Sequence, residues 1–236
     1  MRKGTQIPFR FWSTDRSLMV LLGLLFIIIF VLEPLDDLGL IHVFFVVSFV
    51  FSLILISGVI SVARSRFMTV LAVVLALALF LALWIVTLVP SVWLASLTDF
   101  LVIVFLGMLS VVVAHKVFGE GPITMQRITG AVVVYLLLGL MWAFAYKLVE
   151  LQQPGSFDSA DFSAVENNFY PKTRLIYLSF ATLTTVGYGD ITPVHPIARS
   201  LAMLEALVGQ LFPVILIARL VSMEIYHRQI QKESRK

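Results

Sequence analysis

The chain of 236 residues contains no cysteine. This excludes a disulfide framework and any thiolate metal site, and leaves the redox compartment open. Charged residues are scarce, at 13%. A globular domain with so few charges cannot cover its surface with polar groups. The four histidines, His42, His115, His195 and His227, are scattered without metal-ligand spacing. Nothing in the sequence therefore points to a metalloenzyme or a nucleophile–base constellation, and no enzyme activity is expected. No internal repeat is visible. The longest polar stretch, LQQPGSFDSADFSAVENNFYPK at about 151–172, is too short for a soluble domain.

Apolar residues are what the chain has in abundance, at 60%, with a mean hydropathy of +1.00. A helix needs about 20 apolar residues to cross a bilayer core. Six stretches qualify or nearly so, at about 16–32, 40–62, 67–89, 98–117, 128–149 and 198–222. The first is the weakest, because its apolar run from Leu18 to Leu32 is bounded by Arg16 and Glu33. No small-x-small cleavage pattern follows it, so it reads as an uncleaved anchor rather than a signal peptide. Phe11 and Trp12 extend it into the interface. A seventh apolar stretch, 173–183, is too short to cross. It suits a re-entrant helix, which membranes tolerate only inside protein or beside water.

Basic residues set the orientation. With the N-terminus in the cytoplasm, all of the 17 Lys and Arg fall on the inner side except Lys147, Lys172, Arg174 and Arg199. The acidic residues lean the other way, with Glu33, Asp36, Asp37, Asp158, Asp161 and Glu166 outside. This distribution accounts for the sequence pI near 9.3, which in a soluble protein would point to nucleic acid. No nucleic-acid partner is expected. The expected protein is multi-pass in the cell membrane, with membrane lipid around it and both termini cytoplasmic. Its expected parts are a four-helix membrane domain at 1–127, a second membrane domain at 128–222 and a short cytoplasmic tail at 223–236.

Residues 182–190 read TLTTVGYGD, a polar and flexible segment between apolar runs. Gly187 and Gly189 permit positive φ without a Cβ penalty. Alternating backbone handedness there would aim consecutive carbonyls to one side. Thr185 adds a hydroxyl oxygen, while Val186 and Tyr188 can pack away from the carbonyl side. Upstream, Pro171 blocks helix continuation and Thr173 is a plausible N-cap. The helix is expected to run to about Thr184.

These residues resemble the pore domain of potassium channels. The family pattern T-x-x-T-x-G-Y-G appears as Thr182, Leu183, Thr184, Thr185, Val186, Gly187, Tyr188 and Gly189, followed by Asp190. The resemblance covers about 173–222 and, more loosely, 128–149. It implies an all-α membrane protein of six transmembrane helices with a re-entrant pore helix and filter loop. It also implies a homotetramer, because this chain carries one loop and the family's carbonyl ring takes four. K⁺ would be coordinated at Thr185, Val186, Gly187, Tyr188 and Gly189 as the permeant ion, with no cofactor. Thr182, Thr184, Tyr177 and Asp190 would support the filter. The pore helix would point the negative end of its dipole at a central cavity.

The last span resembles the family's inner helix. Gly209 falls where the family often has a hinge glycine, and Pro213 lies one turn later. If Gln210 faces the axis, helical spacing brings Met203, Ala206, Pro213 and Ile217 to the same face, with Val221 beyond. Ile217 and Val221 are then candidates for an apolar constriction. Glu205, a carboxylate inside a span, is a functional candidate turned toward the pore helix or the fifth span. The likeness also has departures. The family's pore-helix tryptophan pair is replaced by Tyr177 and Leu178, and Ala181 stands where some members carry a carboxylate. The fourth span holds only Asp99, His115 and Lys116 as titratable residues, so a charged voltage sensor is not expected. The functional alternatives are a pore-loop potassium transporter subunit and a less selective cation channel.

Overall fold

The computed structural model describes residues 9–32, 35, 66–89, 91–119, 124–158 and 173–233. The expected second span at 40–62, Pro171, the loop residues 159–172 and residues 234–236 lie outside the described residues. Within them the chain is mostly helical. Helix α1, Phe9–Ile27, continues as a π-helical turn at Ile28–Leu32. It is followed by α2, Arg66–Leu88; α3, Val92–Val117; α4, Met125–Gln152; α5, Thr173–Leu183; and α6, Pro196–Glu233. Among the described residues, three helical segments are long and apolar enough to cross a membrane: Val92–Val117, Met125–Gln152 and Pro196–Met223. Leu18–Leu32, Val70–Leu83 and Arg174–Leu183 are shorter apolar helical segments.

Helices α3 and α4 form an antiparallel hairpin. The link between Val117 and Met125 is too short for any other neighbourly packing. Contacts run in matching order down the two helices. Gln152 on α4 donates to Ser96 on α3 at 3.0 Å. Further down, Gly107 lies opposite Met141. At the far end, Gly130 lies against Val113 and Val117. The main core packs α1 onto this hairpin through Leu18, Leu21, Leu25 and Ile28, with Phe105, Leu109, Leu137 and Phe144 at its centre. In a bilayer, lipid tails are as apolar as leucine, so such packing is held by close fit and polar contacts rather than by exclusion of water.

A second cluster gathers Tyr146, Phe157, Leu175, Leu178, Ile191 and Ala198. It joins α4, α5 and the start of α6. Beside it, β1 (Phe157–Asp158) pairs antiparallel with β2 (Thr192–Pro193), in the register Phe157 to Pro193. Two residues per strand give no readable alternation, so the sequence held no sign of this pair. The Ser156 carbonyl accepts from the backbone N–H of Val194 at 2.9 Å and of His195 at 3.2 Å. The outer loop is thereby stitched to the segment that follows TVGYGD.

Helix α6 runs unbroken through Pro213 and on to Glu233, so part of the expected tail at 223–236 continues the last helix. Proline has no N–H, so the carbonyl of Gly209, four residues earlier, lacks its usual helical donor.

Candidate functional site

Helix α5 begins at Thr173 and ends at Leu183, within a residue of the expected bounds. Its apolar residues Leu175, Ile176, Leu178 and Leu183 are buried, at the spacing of one helical face. A tight turn then reverses the chain. Thr185 N–H donates to the Thr182 carbonyl at 2.9 Å. The N–H groups of Val186 and Gly187 both donate to Ala181, at 2.9 and 3.1 Å. Thr184 is exposed, and its hydroxyl donates to the Phe180 carbonyl at 2.6 Å.

From this turn the backbone alternates. Thr185, Gly187 and Gly189 have φ of +61°, +54° and +80°, while Val186 and Tyr188 between them do not take positive φ. An L-residue peptide with every second residue left-handed is the conformation that turns successive carbonyls to one side. A Cβ built on Gly187 or Gly189 would meet nothing within 4 Å. Their need for glycine is therefore conformational, not steric. Thr185 carries a feature the sequence did not announce. Expected to add a hydroxyl oxygen, it is in addition a non-glycine residue held left-handed, a β-branched side chain where strain is genuine.

The side chains of Val186 and Tyr188 turn toward α5. Tyr188 stacks on Tyr177 with ring centroids 6.0 Å apart and planes 10° from parallel. The Tyr177 hydroxyl faces the Asp190 carboxylate, the pairing that their separation in sequence allowed. Val186 and Tyr188 line a cavity of about 390 Å³ together with Ile176, Phe180 and two residues of the π-helical turn, Ile29 and Phe30. That turn brings the end of α1 to the far side of a cavity shared with the TVGYG segment, a placement with no signature in the sequence. Val186 remains 53% exposed and Tyr188 72%.

Glu205 is wholly buried on α6. One carboxylate oxygen is bonded to the Ser179 hydroxyl at 2.6 Å. The other accepts a short hydrogen bond from the Tyr146 hydroxyl. Ser179 also lies 2.7 Å from the Gly139 carbonyl, and Thr182 faces the same tyrosine hydroxyl. Glu205 thus ties α4, α5 and α6 together directly behind the filter-like segment. Sequence reasoning had aimed it at this side but could not name Tyr146, whose position 59 residues away has no local signal.

Gly209 is buried where α6 crosses the end of α5. A Cβ there would overlap the Leu183 carbonyl and lie 2.9 Å from the Leu183 Cα. The same carbonyl accepts from the Tyr135 hydroxyl at 3.0 Å. Met203, Gln210, Ile217 and Val221 are exposed along α6, and Ala206 and Pro213 half-buried.

One charge needs correcting. Lys147 was counted as an outer-face charge, but it is fully buried. It donates to Asp99 at 2.9 Å across the α3–α4 hairpin. Period and spacing gave no sign of this pair because its members lie on different helices.

A helix that ends in a threonine-rich turn, a segment with positive φ at alternate residues and a long apolar helix thus follow one another. Residues 133–225 match the family model described as ion channel. This part of the chain resembles an ion-channel domain of potassium-channel type, in a chain whose described residues include three helical segments long and apolar enough to cross a membrane. The chain is 34% identical over 87 residues to the protein LctB of Bacillus caldotenax, covering 37% of this chain and 64% of that one. It is 34% identical over 94 residues to the inward rectifier potassium channel Kirbac3.1 of Paramagnetospirillum magnetotacticum, covering 38% and 26%. It is 33% identical over 86 residues to the two pore potassium channel c of Oryza sativa subsp. japonica, covering 35% and 19%. The chain thus spans less than two thirds of the length of these relatives. No solved structure matches the chain.

Proposed function

We propose that the protein is a potassium-selective channel that conducts K⁺ passively, as a tetramer of identical chains around one axis. The observation that carries this reading is the alternation of positive φ at Thr185, Gly187 and Gly189. A dehydrated K⁺ needs oxygen ligands in place of water, and a ring of carbonyls turned to one axis supplies them. One chain offers one such row. Closed cyclic symmetry is the usual way to complete the ring. The exposed faces of Val186 and Tyr188, and the exposed apolar length of α6, give neighbouring copies a surface to cover.

In this reading K⁺ is coordinated from Thr185 to Gly189. Thr182, Thr184, Tyr177 and Asp190 hold the segment, and Glu205 fixes the pore helix to α4 and α6. Gln210, Pro213, Ile217 and Val221 line the vestibule below. Residues 1–127 form the peripheral membrane domain and 128–222 the pore domain, with six spans and both termini in the cytoplasm of a cell membrane. No cofactor is required.

Reversal potentials of the purified protein in planar bilayers, under opposed K⁺ and Na⁺ gradients, test the proposal. The expected potential follows the K⁺ gradient. A potential near zero would make the protein a less selective cation channel. Flux that needs an energy source or a coupled ion would make it a transporter subunit.

A further inference from the structure

Asp99 and Lys147 stand in an apolar helix pair, each side chain 1% exposed. A buried ion pair is weak as a source of stability, because desolvation offsets the attraction and apolar residues of similar size do as well or better. What an ion pair has and an apolar contact lacks is direction. The ammonium–carboxylate bond specifies one register and one rotation of α4 against α3. The second Asp99 oxygen has no hydrogen-bond partner among the described residues. The carboxylate therefore leans on Lys147 alone for hydrogen bonding there.

The residue before Lys147 is Tyr146, the one that reaches Glu205. Successive helical residues point about 100° apart, so a rotation that moves Lys147 off Asp99 swings Tyr146 away from Glu205. One turn onward, Glu150 accepts from the backbone N–H of Gly155 at 2.7 Å and of Ser156 at 2.9 Å. Ser156 in turn holds Val194 and His195, just past the filter segment. The outer end of α4 therefore reaches both sides of TVGYGD: through Tyr146, Glu205 and Ser179 to the pore helix, and through Glu150 and Ser156 to the exit.

We propose that Asp99 and Lys147 are a positioning pair for the filter. By fixing the rotation of α4, they let the peripheral helix α3 set the selectivity of the pore. The proposal rests on the channel reading above and adds a task for the peripheral domain.

Four proteins, reconstituted in liposomes and compared by Na⁺/K⁺ permeability ratio, test it. These are the wild type, Asp99→Asn, the apolar double variant Asp99→Leu with Lys147→Met, and the exchange Asp99→Lys with Lys147→Asp. The apolar double variant is expected to assemble as well as wild type. It should nevertheless raise relative Na⁺ permeability by about tenfold, in the range that networked residues away from a site produce. Asp99→Asn, which keeps the shape and one hydrogen bond, is expected to raise it by about threefold. The charge exchange should bring the ratio back toward wild type. A purely structural pair would leave the ratio unchanged in every variant that assembles. A wild-type ratio in the apolar double variant, or in Asp99→Asn should the double variant not fold, overturns the proposal while leaving the channel reading intact. A wild-type protein without K⁺ selectivity overturns both.

Discussion

Replacing Gly209 with alanine separates two explanations of that glycine by the sign of one number. As a hinge, Gly209 would be tolerated in the helix for its flexibility. Alanine would then stabilise α6 by roughly 0.5–1 kcal/mol through helix propensity, with the effect confined to gating. As a close-approach site, Gly209 is required because the Leu183 backbone lies where a Cβ would go. The obstacle is main chain, held in place by the Tyr135 hydroxyl, so it cannot rotate aside as a side chain could. Overpacking of this kind costs about 1–3 kcal/mol and sometimes more. The clash is therefore expected to outweigh the propensity gain, leaving a net loss of about 1–2 kcal/mol. For a domain of this size that lowers the melting temperature by several degrees, roughly 2–4 °C per kcal/mol. Thermal unfolding of wild-type and Gly209→Ala protein in the same detergent measures it. A variant that melts at or above the wild-type temperature would refute the close-approach argument and restore the hinge.

Three other predictions concern the pore and its surroundings. Glu205→Gln retains an acceptor for Tyr146 and is expected to keep assembly and selectivity. Glu205→Leu removes the carboxylate acceptor of the Tyr146 hydroxyl and leaves it Thr182 as neighbour, at a cost of about 1–3 kcal/mol, while Ser179 can turn to the Gly139 carbonyl. Equal melting temperatures for the two variants would contradict this. Open probability is expected to change only weakly between about −100 and +100 mV, because each elementary charge must cross the field to contribute its roughly 2.3 kcal/mol per 100 mV, while α3 offers only Asp99, which is paired with Lys147, and His115 and Lys116 in its last turn. A steep conductance–voltage curve, insensitive to external K⁺, would show a sensor among residues not identified here. Finally, a cysteine at Ser159 should be labelled by an impermeant reagent from outside intact cells and one at Ser234 should not, and labelling of both would reverse the orientation.

How much of this was legible in the sequence depended on distance along the chain. Helix α5 and the glycine backbone after it are local, and their residues declared them: an apolar face from Leu175 to Leu183, then two glycines at alternate positions. The left-handed Thr185 was not declared, because threonine is a poor candidate for that conformation and only the turn hydrogen bonds to Ala181 and Thr182 hold the chain around it. Glu205 stood out as a carboxylate in an apolar helix, but its partners Ser179 and Tyr146 come from other elements. Lys147 was misjudged for the same reason. A charge near the end of a span reads as interfacial unless its partner is known, and Asp99 is 48 residues away. Gly209 and the π-helical turn show a third limit. Close approach between helices, and which segment a bulged turn ends up facing across a cavity, are properties of packing and leave no periodic mark.

The shortness of the link between α3 and α4 bears on how subunits would mix. Seven residues, 118–124, span at most about 25 Å even when fully extended, and the hairpin contacts hold α3 against the α4 of its own chain. In a ring of several copies, each peripheral helix would therefore serve the quarter of the pore that its own chain builds, with no exchange between neighbours. A defective Asp99 or Lys147 in one chain would then disturb one filter strand directly and the other three only through the shared axis. In assemblies of wild-type and altered chains, selectivity is expected to decline in steps with the number of altered chains. A single altered chain that abolished it would mean that the subunits are coupled more tightly than this hairpin requires.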